Sequence, residues 1–565
     1  MINLYPLQNN FAAGEISPRF LARTDLPGYT AGARELSGFI GLSHGPAVTR
    51  GGSKHIISIP GTNGRLLPFH KDESTSAIIV VSNDANLYCI DPDAPVLTDV
   101  FSSPYANSEL QHIQVAMTPG GNWMYFVHTN RSPRKLVWNP TTSTWDSFAA
   151  VTWTSKPSEW VTNNYPGCIT FFQGRMWLAG TPAEPNQFWG SKSGLYEDMT
   201  TGSTADAAIS FFNAQHGEIR WMAGIKNLLL GTSRGEFIVT SESGLVTYSD
   251  VFIEQQSAFG SKRAAPLVIG NSVLYISPDG RKVRETSYKW TEESWVSRDL
   301  TYSSEHITKD RVLKELTFAQ NPENLIWGTC EEDTSVIIGS TYEKANNIIG
   351  WHKHPSNGII RSVATIEESG VSRTFALVDR GVTDQLELEL WNEENANLDS
   401  YIEIDSTGSP TDQITGGDHL ANQTVKVIVD GALHSDVTLD ASGEATLDYP
   451  GEIIQFGLAY TPYFRSLPFE SQIQGDNIAG SAMGMQKRWS NIALRLIDSC
   501  LPLVNGKRTK DRYPSTPMDT PEELRTGDIK LTNLGWDRYA EVEVEVDLPF
   551  KCMIGGIFGK VTLNE

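Results

Sequence analysis

The chain has 565 residues and a formal net charge of −22 at pH 7, and apolar residues make up 39% of it. This length exceeds what one hydrophobic core supports, so we expect several domains. The acidic excess disfavours tight binding to DNA or to anionic membranes, because Lys and Arg supply most of the affinity for phosphate, but it does not exclude passage of DNA through a pore.

The cysteines lie far apart and form no C-x-x-C pair, which argues against a zinc site and against a disulfide framework. We expect buried free thiols made in a reducing cytosol: Cys89, Cys168, Cys330, Cys500 and Cys552. The N-terminus lacks the basic and apolar regions of a secretion signal, and no run of about 18 apolar residues occurs, so no membrane span is expected.

Residues 1–65 carry an ordered series of Gly, Pro and charged residues that the rest of the chain does not repeat. The series consists of Gly14, Glu15, Ser17, Pro18, Arg23, Asp25, Tyr29, Gly32, Gly45, Arg50 and Gly52. Arg binds carboxylates in bidentate geometry, so Arg23, Asp25 and Arg50 are candidates for ion pairs at a subunit interface. The equal alternative is that they only cap local turns.

A short apolar core recurs along the middle of the chain, mostly at intervals of about 45 to 53 residues, which is the period of propeller blades. The cores lie at 86–91, 122–127, 175–179, 227–232, 271–276 and 324–329, with a weaker one at 373–379. In the clearest copy, two apolar runs flank the turn Gln173-Gly174-Arg175, which is typical of a hairpin. We therefore predict a mainly β protein with a β-propeller of six or seven blades at residues 66–400.

Two β-rich regions follow the propeller. The run 386–390 alternates Leu and Glu, which predicts a closing strand with one buried and one solvated face. After a polar linker at 406–411, the strand pattern at 424–429 runs into the turn Asp430-Gly431. We therefore expect an added small β-domain at residues 405–468.

The last segment, residues 470–565, contains a predicted strand at 492–498 and a polar loop at 504–521. The alternating run 540–547 puts three Val on one face and three Glu on the other. These residues are Val542, Val544 and Val546, and Glu541, Glu543 and Glu545. Propellers bury their own edges, so we expect this segment and residues 1–65 to form a separate platform for assembly.

The N-terminal series resembles the signature of the tail nozzle proteins, also called tail tubular or stabilisation proteins, of short-tailed bacteriophages. All the residues of the series given above match it. Two positions depart from it, since Gly38 stands where the family usually has Asn and Gly51 where it usually has Pro. The resemblance continues through the blade with Trp177, through 191–199 and into 420–468, so it covers most of the chain.

This resemblance implies a structural virion protein of the tail, made and assembled in the host cytoplasm, and not an enzyme. Members of the family form a six-fold ring below a twelve-fold adaptor that hangs from the portal. The implied partners are further copies of this chain in a homo-hexamer, the adaptor, tail fibres or spikes, and double-stranded DNA in transit. In such a ring Glu541, Glu543 and Glu545 would line a channel that retains packaged DNA and conducts it during ejection.

The competing interpretation is a tail-associated propeller that binds or cleaves glycans. Its sequence support is weak, because 277–280 reads as a plain β-turn, one residue too tight for a sialidase-like motif. His352 and His354 would share a strand face and could clamp a metal, but no third ligand lies near them in sequence. The basic cluster at 507–512 could meet DNA phosphates, yet an acid interrupts it, which favours a solvated loop. We expect no catalytic residue, no cofactor and no metal.

Overall fold

The computed structural model describes residues 2–26, 28–72, 75–213, 217–332, 335–394, 396–470, 472–475, 478–508, 520–532 and 535–564. β-Strands dominate these residues. The helical elements among them are the α-helical turn Glu305–Thr308 and the 3-10 turns Pro18–Phe20, Asn107–His112, Tyr302–Ser304 and Asp418–Leu420. None of the described helices has the length and apolarity needed to cross a membrane.

Seven four-stranded antiparallel units, here called blades 1 to 7, follow one another along the chain. Blade 1 consists of Gly64–Asp72, Thr75–Ser82, Asn86–Ile90 and Val100–Ser102. Blade 2 consists of Gln114–Met117, Trp123–His128, Arg131–Asn139 and Thr144–Ala150. Blade 3 consists of Cys168–Phe172, Arg175–Ala179, Gln187–Gly190 and Ile209–Phe212. Blade 4 consists of Ile219–Gly224, Leu228–Thr232, Glu236–Thr240 and Phe252–Ser257. Blade 5 consists of Leu267–Ile269, Ser272–Ile276, Val283–Lys289 and Ser294–Asp299. Blade 6 consists of Leu313–Ala319, Leu325–Cys330, Val336–Glu343 and Ile348–Pro355. Blade 7 consists of Ile359–Glu368, Val371–Asp379, Gln385–Glu393 and Gly52–Pro60.

The recurring apolar core of the sequence is the second strand of blades 2 to 7 and the third strand, Asn86–Ile90, of blade 1. In blade 3 it forms the expected hairpin, with Gln173 and Gly174 at φ values of 50° and 69° in the turn. The weaker core at 373–379 lies in the second strand of blade 7. The mainly β class and the repeated hairpins are confirmed, and all five cysteines are buried and free as expected.

The blades close into a ring. The first strand of blade 7 contacts those of blades 6 and 1, and first strands also contact each other between blades 2 and 3, 3 and 4, and 5 and 6. Blades 1 and 2, and blades 4 and 5, contact through their fourth strands. This is the arrangement of a β-propeller, in which the first strands are innermost. Gly52–Pro60 completes blade 7 by pairing with Gln385–Glu393. The structure therefore places part of residues 1–65 inside the propeller, because this early strand is needed to finish the last blade.

The strand Gln385–Glu393 differs from the sequence expectation. Glu387 and Glu389 are both 0% exposed, so the predicted solvated face is wrong. The charges are satisfied internally, since Arg380 binds Glu389 at 2.6 Å and His55 lies 2.9 Å from Glu387. Burial arises because Gly52–Pro60 covers the edge of this strand and is itself followed by the small β-domain.

The small β-domain continues the sheet of blade 7. Its first strand, Leu398–Asp405, pairs in parallel with Gly52–Pro60. The other strands are Thr411–Ile414, Thr424–Val429, Ala432–Leu433, Val437–Thr438, Ala445–Gly451 and Ile453–Ala459. They enclose an apolar core of their own, with Val427, Ile454 and Phe456 at its centre.

The two ends of the chain meet in one sheet, here called the terminal sheet. Its strands are Ile2–Leu4, Leu7–Gln8, Phe39–Gly41, Ala47–Thr49, Gln486–Ser499, Arg525–Thr532 and Met553–Asn564. Met553–Asn564 pairs with Gln486–Ser499 on one side and with the N-terminal strands on the other.

The sheet of blade 6 is also extended beyond the propeller. Its added strands are Gly14–Glu15, Gly32–Ser37, Tyr463–Ser466, Glu543–Glu545, Leu503–Val504 and Lys507–Arg508. A hairpin of Gln472–Gly475 and Ile478–Ser481 forms a sheet by itself. Both chain ends are thus joined to blades 6 and 7, whereas the sheets of blades 1 to 5 end at their fourth strands.

Candidate assembly interface

The N-terminal series begins with a tight approach to blade 6. Gly14 pairs with Trp351 and with Gly32, and its φ of 72° lies in the left-handed region. A Cβ at Gly14 would overlap the backbone of Trp351, and one at Gly32 would overlap the side chain of Ile16. Only glycine fits both positions, because a side chain would push the segment away from the blade.

Glu15 is an internal anchor of this segment. It is 2% exposed and accepts hydrogen bonds from the Leu36 backbone N–H at 3.0 Å and from the His306 ring at 2.7 Å. Lys353 lies 3.6 Å away. Burial opposes ionisation of Glu15, but the His306 bond and the Lys353 charge outweigh it, so the pKa of this carboxyl lies below its usual range.

The next residues of the series form a compact turn. Ser17 caps the 3-10 turn that Pro18 begins. The Tyr29 hydroxyl donates to the carbonyl of Leu21 at 3.1 Å and lies 3.2 Å from that of Pro468. The segment is thereby bound both to itself and to the chain that leaves the small β-domain.

Arg23 and Asp25 form an exposed ion pair on that turn. Two Arg23 N–H groups donate to the two Asp25 carboxylate oxygens, each at 2.8 Å. The two side chains remain 53% and 64% exposed. The pairing lowers the pKa of Asp25, while solvent on the open side leaves both groups available to another molecule. This geometry is compatible with both interpretations, an ion pair that only caps the local turn and an ion pair at a subunit interface.

Arg50, the third candidate interface residue, is placed inside the subunit. Its side chain is 0% exposed and its Nη2 lies 2.7 Å and 2.9 Å from the two carboxylate oxygens of Asp399. The guanidinium is stacked 4.3 Å from the Trp391 ring centroid and 3.7 Å from that of Tyr460. It therefore joins blade 7 to the small β-domain, and the expectation that it contacts another subunit is wrong.

The acidic face of 540–547 also differs from the expectation. Val542, Val544 and Val546 are buried as predicted. Glu541 is buried as well, paired with Arg34 and bonded to Arg465 Nε at 2.7 Å.

The other two acids of that face lie on the strand Glu543–Glu545. Arg465 Nε also lies 3.5 Å from Glu543, while Glu545 is exposed. Of the predicted row of three carboxylates, Glu541 is covered by Arg34 and Arg465, whereas Glu543, whose side chain is 41% exposed, and Glu545 still reach solvent.

An exposed apolar groove, which the sequence analysis missed, lies at the N-terminal edge of the terminal sheet. Tyr5 is 75% exposed and Leu7 is 66% exposed. They line a groove of about 350 Å³ together with Phe469 and Trp489. The only signal for it in the sequence is a pair of apolar residues outside any recurring core. Surface aromatic and aliphatic groups beside a groove are typical of protein contact sites.

Two further candidate sites can be placed. His352 and His354 contact each other at 2.6 Å, and burial lowers the pKa of His352 to about 3. No group of three potential metal ligands occurs among the described residues. In the basic cluster at 507–512, Arg508 pairs with Asp547, and 509–512 lie outside the described residues.

Comparison with known proteins adds little to this picture. No family model and no curated protein matches the chain. A structure of U3-55K matches with 10% identity and a TM-score of 0.38, over 60% of this chain and 100% of that one. The WD40 repeats of RRP9 match with 10% identity and a TM-score of 0.39, over 61% of this chain and 99% of that one. At TM-scores below 0.5 these similarities carry no argument about function.

Proposed function

We propose that this protein is a structural subunit of the tail nozzle of a short-tailed bacteriophage. It forms a ring that continues the DNA channel below an adaptor, retains packaged DNA and conducts it during ejection. The observation that carries the proposal is the ordered N-terminal series from Gly14 to Gly52. In the structure Gly14 and Glu15 pack against blade 6, whereas Arg50 joins blade 7 to the small β-domain.

A ring needs a contact that joins one surface of a subunit to a different surface of the next. The groove beside Tyr5 and Leu7 supports such a contact, because it exposes apolar side chains on the sheet that holds both chain ends. Arg525–Thr532 lies at the opposite side of the same sheet, where it pairs with Gln486–Ser499. The exposed pair Arg23 and Asp25 lies outside this sheet.

The conduit role now rests on overall charge and not on the three glutamates of 540–547. Arg34 and Arg465 already compensate Glu541, so this carboxylate contributes little repulsion toward DNA. A net charge of −22 per subunit still keeps the ring from binding phosphates tightly. Screening over about 8 Å at physiological salt limits any such repulsion to DNA close to the wall.

The proposal is tested with Tyr5→Ser/Leu7→Ser in phage whose own copy of the gene is inactivated. We expect the variant protein to fold, to fail to join the tail, and to leave DNA-filled heads that do not infect. Trp290→Ser is the matched control, since Trp290 is also 75% exposed but lies on blade 5. Normal incorporation of the double variant would refute the proposed contact, and absence of the wild-type chain from tails would refute the nozzle function.

Glycan binding is a second candidate, and Trp290 is the observation that favours it. The ring packs edge-on to Tyr288 at 5.0 Å and lies 4.9 Å from the Lys226 ammonium. An exposed, fixed aromatic ring beside a hydrogen-bond donor suits the apolar face of a sugar. Retention of wild-type protein but not Trp290→Ser on host envelope glycans would support this function, and steady release of sugars would indicate an enzyme.

A further inference from the structure

A pocket of about 490 Å³, lined mostly by residues with charged or polar side chains, opens near the axis of the propeller. Its wall comes from segments that enter the innermost strands of blades 2, 4 and 5, and from loops that follow the second strands of blades 2 and 3. The position is central, because the Gln114 amide of blade 2 donates to the Arg220 carbonyl of blade 4 at 2.7 Å. The volume lies within the range of small-molecule sites.

The pocket gathers cations in a protein that is acidic overall. Arg220, Lys262 and Arg263 line it, together with His112 and His128. Two of these cations, Arg220 and Arg263, share a single carboxylate, as Arg34 and Arg465 share Glu541 elsewhere in the chain. Glu218 accepts from Arg220 Nε at 3.0 Å and pairs through its other oxygen with Arg263.

The Arg263 guanidinium has more N–H donors than the described residues around it use. Its side chain is 17% exposed, and Glu218 is its one hydrogen-bond partner among the described residues. A guanidinium carries five N–H donors in a planar fork that matches oxyanions. Lys262 contributes a second charge at the rim, where it pairs with Glu331 at 2.5 Å.

Both histidines of the pocket are kept neutral, mainly by burial. Burial lowers the pKa of His128 to about 4, and the charges of Arg263 and Arg131 add to this effect against the opposing charge of Glu109. Burial and then Arg263 likewise lower the pKa of His112. Neutral imidazoles can donate a hydrogen bond to an anion without adding a further buried charge.

We propose that this axial pocket binds a small organic oxyanion, a phosphate or carboxylate group on a compact polar molecule, with Arg263 as its principal ligand. Glu218 neutralises only one of the two positive charges of Arg220 and Arg263, and the bound anion would neutralise the other. It would accept hydrogen bonds from the Arg263 N–H groups that Glu218 does not use. The remaining volume accommodates a body larger than the anionic group itself. This site is independent of the assembly contact proposed above.

The test is calorimetric titration of the full chain with glucose 6-phosphate, glucuronate or inorganic phosphate, at ionic strength held constant with sodium chloride. We expect at least one organic probe to bind with a dissociation constant below about 1 mM. Preference for glucose 6-phosphate identifies a phosphate site, and preference for glucuronate identifies a carboxylate site. Failure of all three probes to bind overturns the proposal.

Arg263→Gln should raise the dissociation constant about tenfold or more, because a charge-assisted hydrogen bond is lost. Arg298→Gln is the matched control, since Arg298 likewise shares one carboxylate, Glu285, with a second cation, Lys344, but lies outside the pocket. Equal effects of the two variants would overturn the proposal. In wild-type protein the His112 and His128 ring resonances should shift on addition of the probe, and unmoved resonances would overturn it even where Arg263→Gln does not fold.

Discussion

The buried ion pair of Arg50 and Asp399 gives the sharpest test of how the chain is held together. Replacing Arg50 by Met removes hydrogen bonds to Asp399 and to the carbonyls of Gly51 and Pro355, at 2.8 Å and 3.0 Å for the carbonyls. Asp399, itself 0% exposed, is then a buried charge without its partner. Breaking a buried pair in this way costs about 3–5 kcal/mol of stability.

This energy should appear locally, as easier opening of the junction between blade 7 and the small β-domain. Amide exchange through such openings should accelerate about 100- to 4,000-fold in Gly52–Pro60 and Leu398–Asp405, as 3–5 kcal/mol converts at tenfold per 1.4 kcal/mol. Hydrogen–deuterium exchange with mass spectrometry measures this directly. Arg23→Met is the control, because its ion pair is exposed, is screened by solvent and lies elsewhere.

A double variant, Arg50→Met with Asp399→Leu, separates the lost pair from the lost packing. It removes both charges, so exchange should return part of the way toward the wild-type rate. Unchanged exchange in the Arg50→Met variant, combined with failure to assemble, would refute the internal role and restore Arg50 as an interface residue.

Three further outcomes are expected. Gly14→Ala should lower the free energy of unfolding by more than about 2 kcal/mol. Gly194→Ala is the control, because Gly194 has the same φ of 72° but open space around it, and it should lower the free energy of unfolding by about 1 kcal/mol. Urea unfolding of the two variants measures the difference. Burial opposes ionisation of Glu389, but Arg380 outweighs it and lowers the pKa of this carboxyl, so its contribution to stability is complete above the unfolded pKa and is lost as pH falls through the folded one. Glu389→Gln should therefore flatten the acid limb of a stability profile below about pH 5, and an unchanged limb would contradict this. Burial raises the pKa of the Cys168 and Cys330 thiols to about 12, so a thiol reagent should label native protein slowly and all five cysteines after unfolding; fast native labelling would contradict their burial.

Several features of the fold were predictable because they depend on residues close together in sequence. The second strands of blades 2 to 7 and the third strand of blade 1 were found from their apolar cores, since a hairpin needs only two adjacent runs and a turn. Val542, Val544 and Val546 were found in the same way, because side chains alternate across a strand whatever lies on either side of it. The glycines of the N-terminal series were recognisable as a pattern, although the sequence does not say which backbone approaches them.

The tertiary structure alone decided which charges are solvated and where the propeller begins. Glu389 reads as solvent-facing in sequence, but Arg380 and a strand from the start of the chain enclose it. Arg50 reads as a surface arginine, but its partner Asp399 is 349 residues away. Local patterning determines which residues can form strands, whereas the burial of a charge depends on partners that only the closed ring and its added domain bring together.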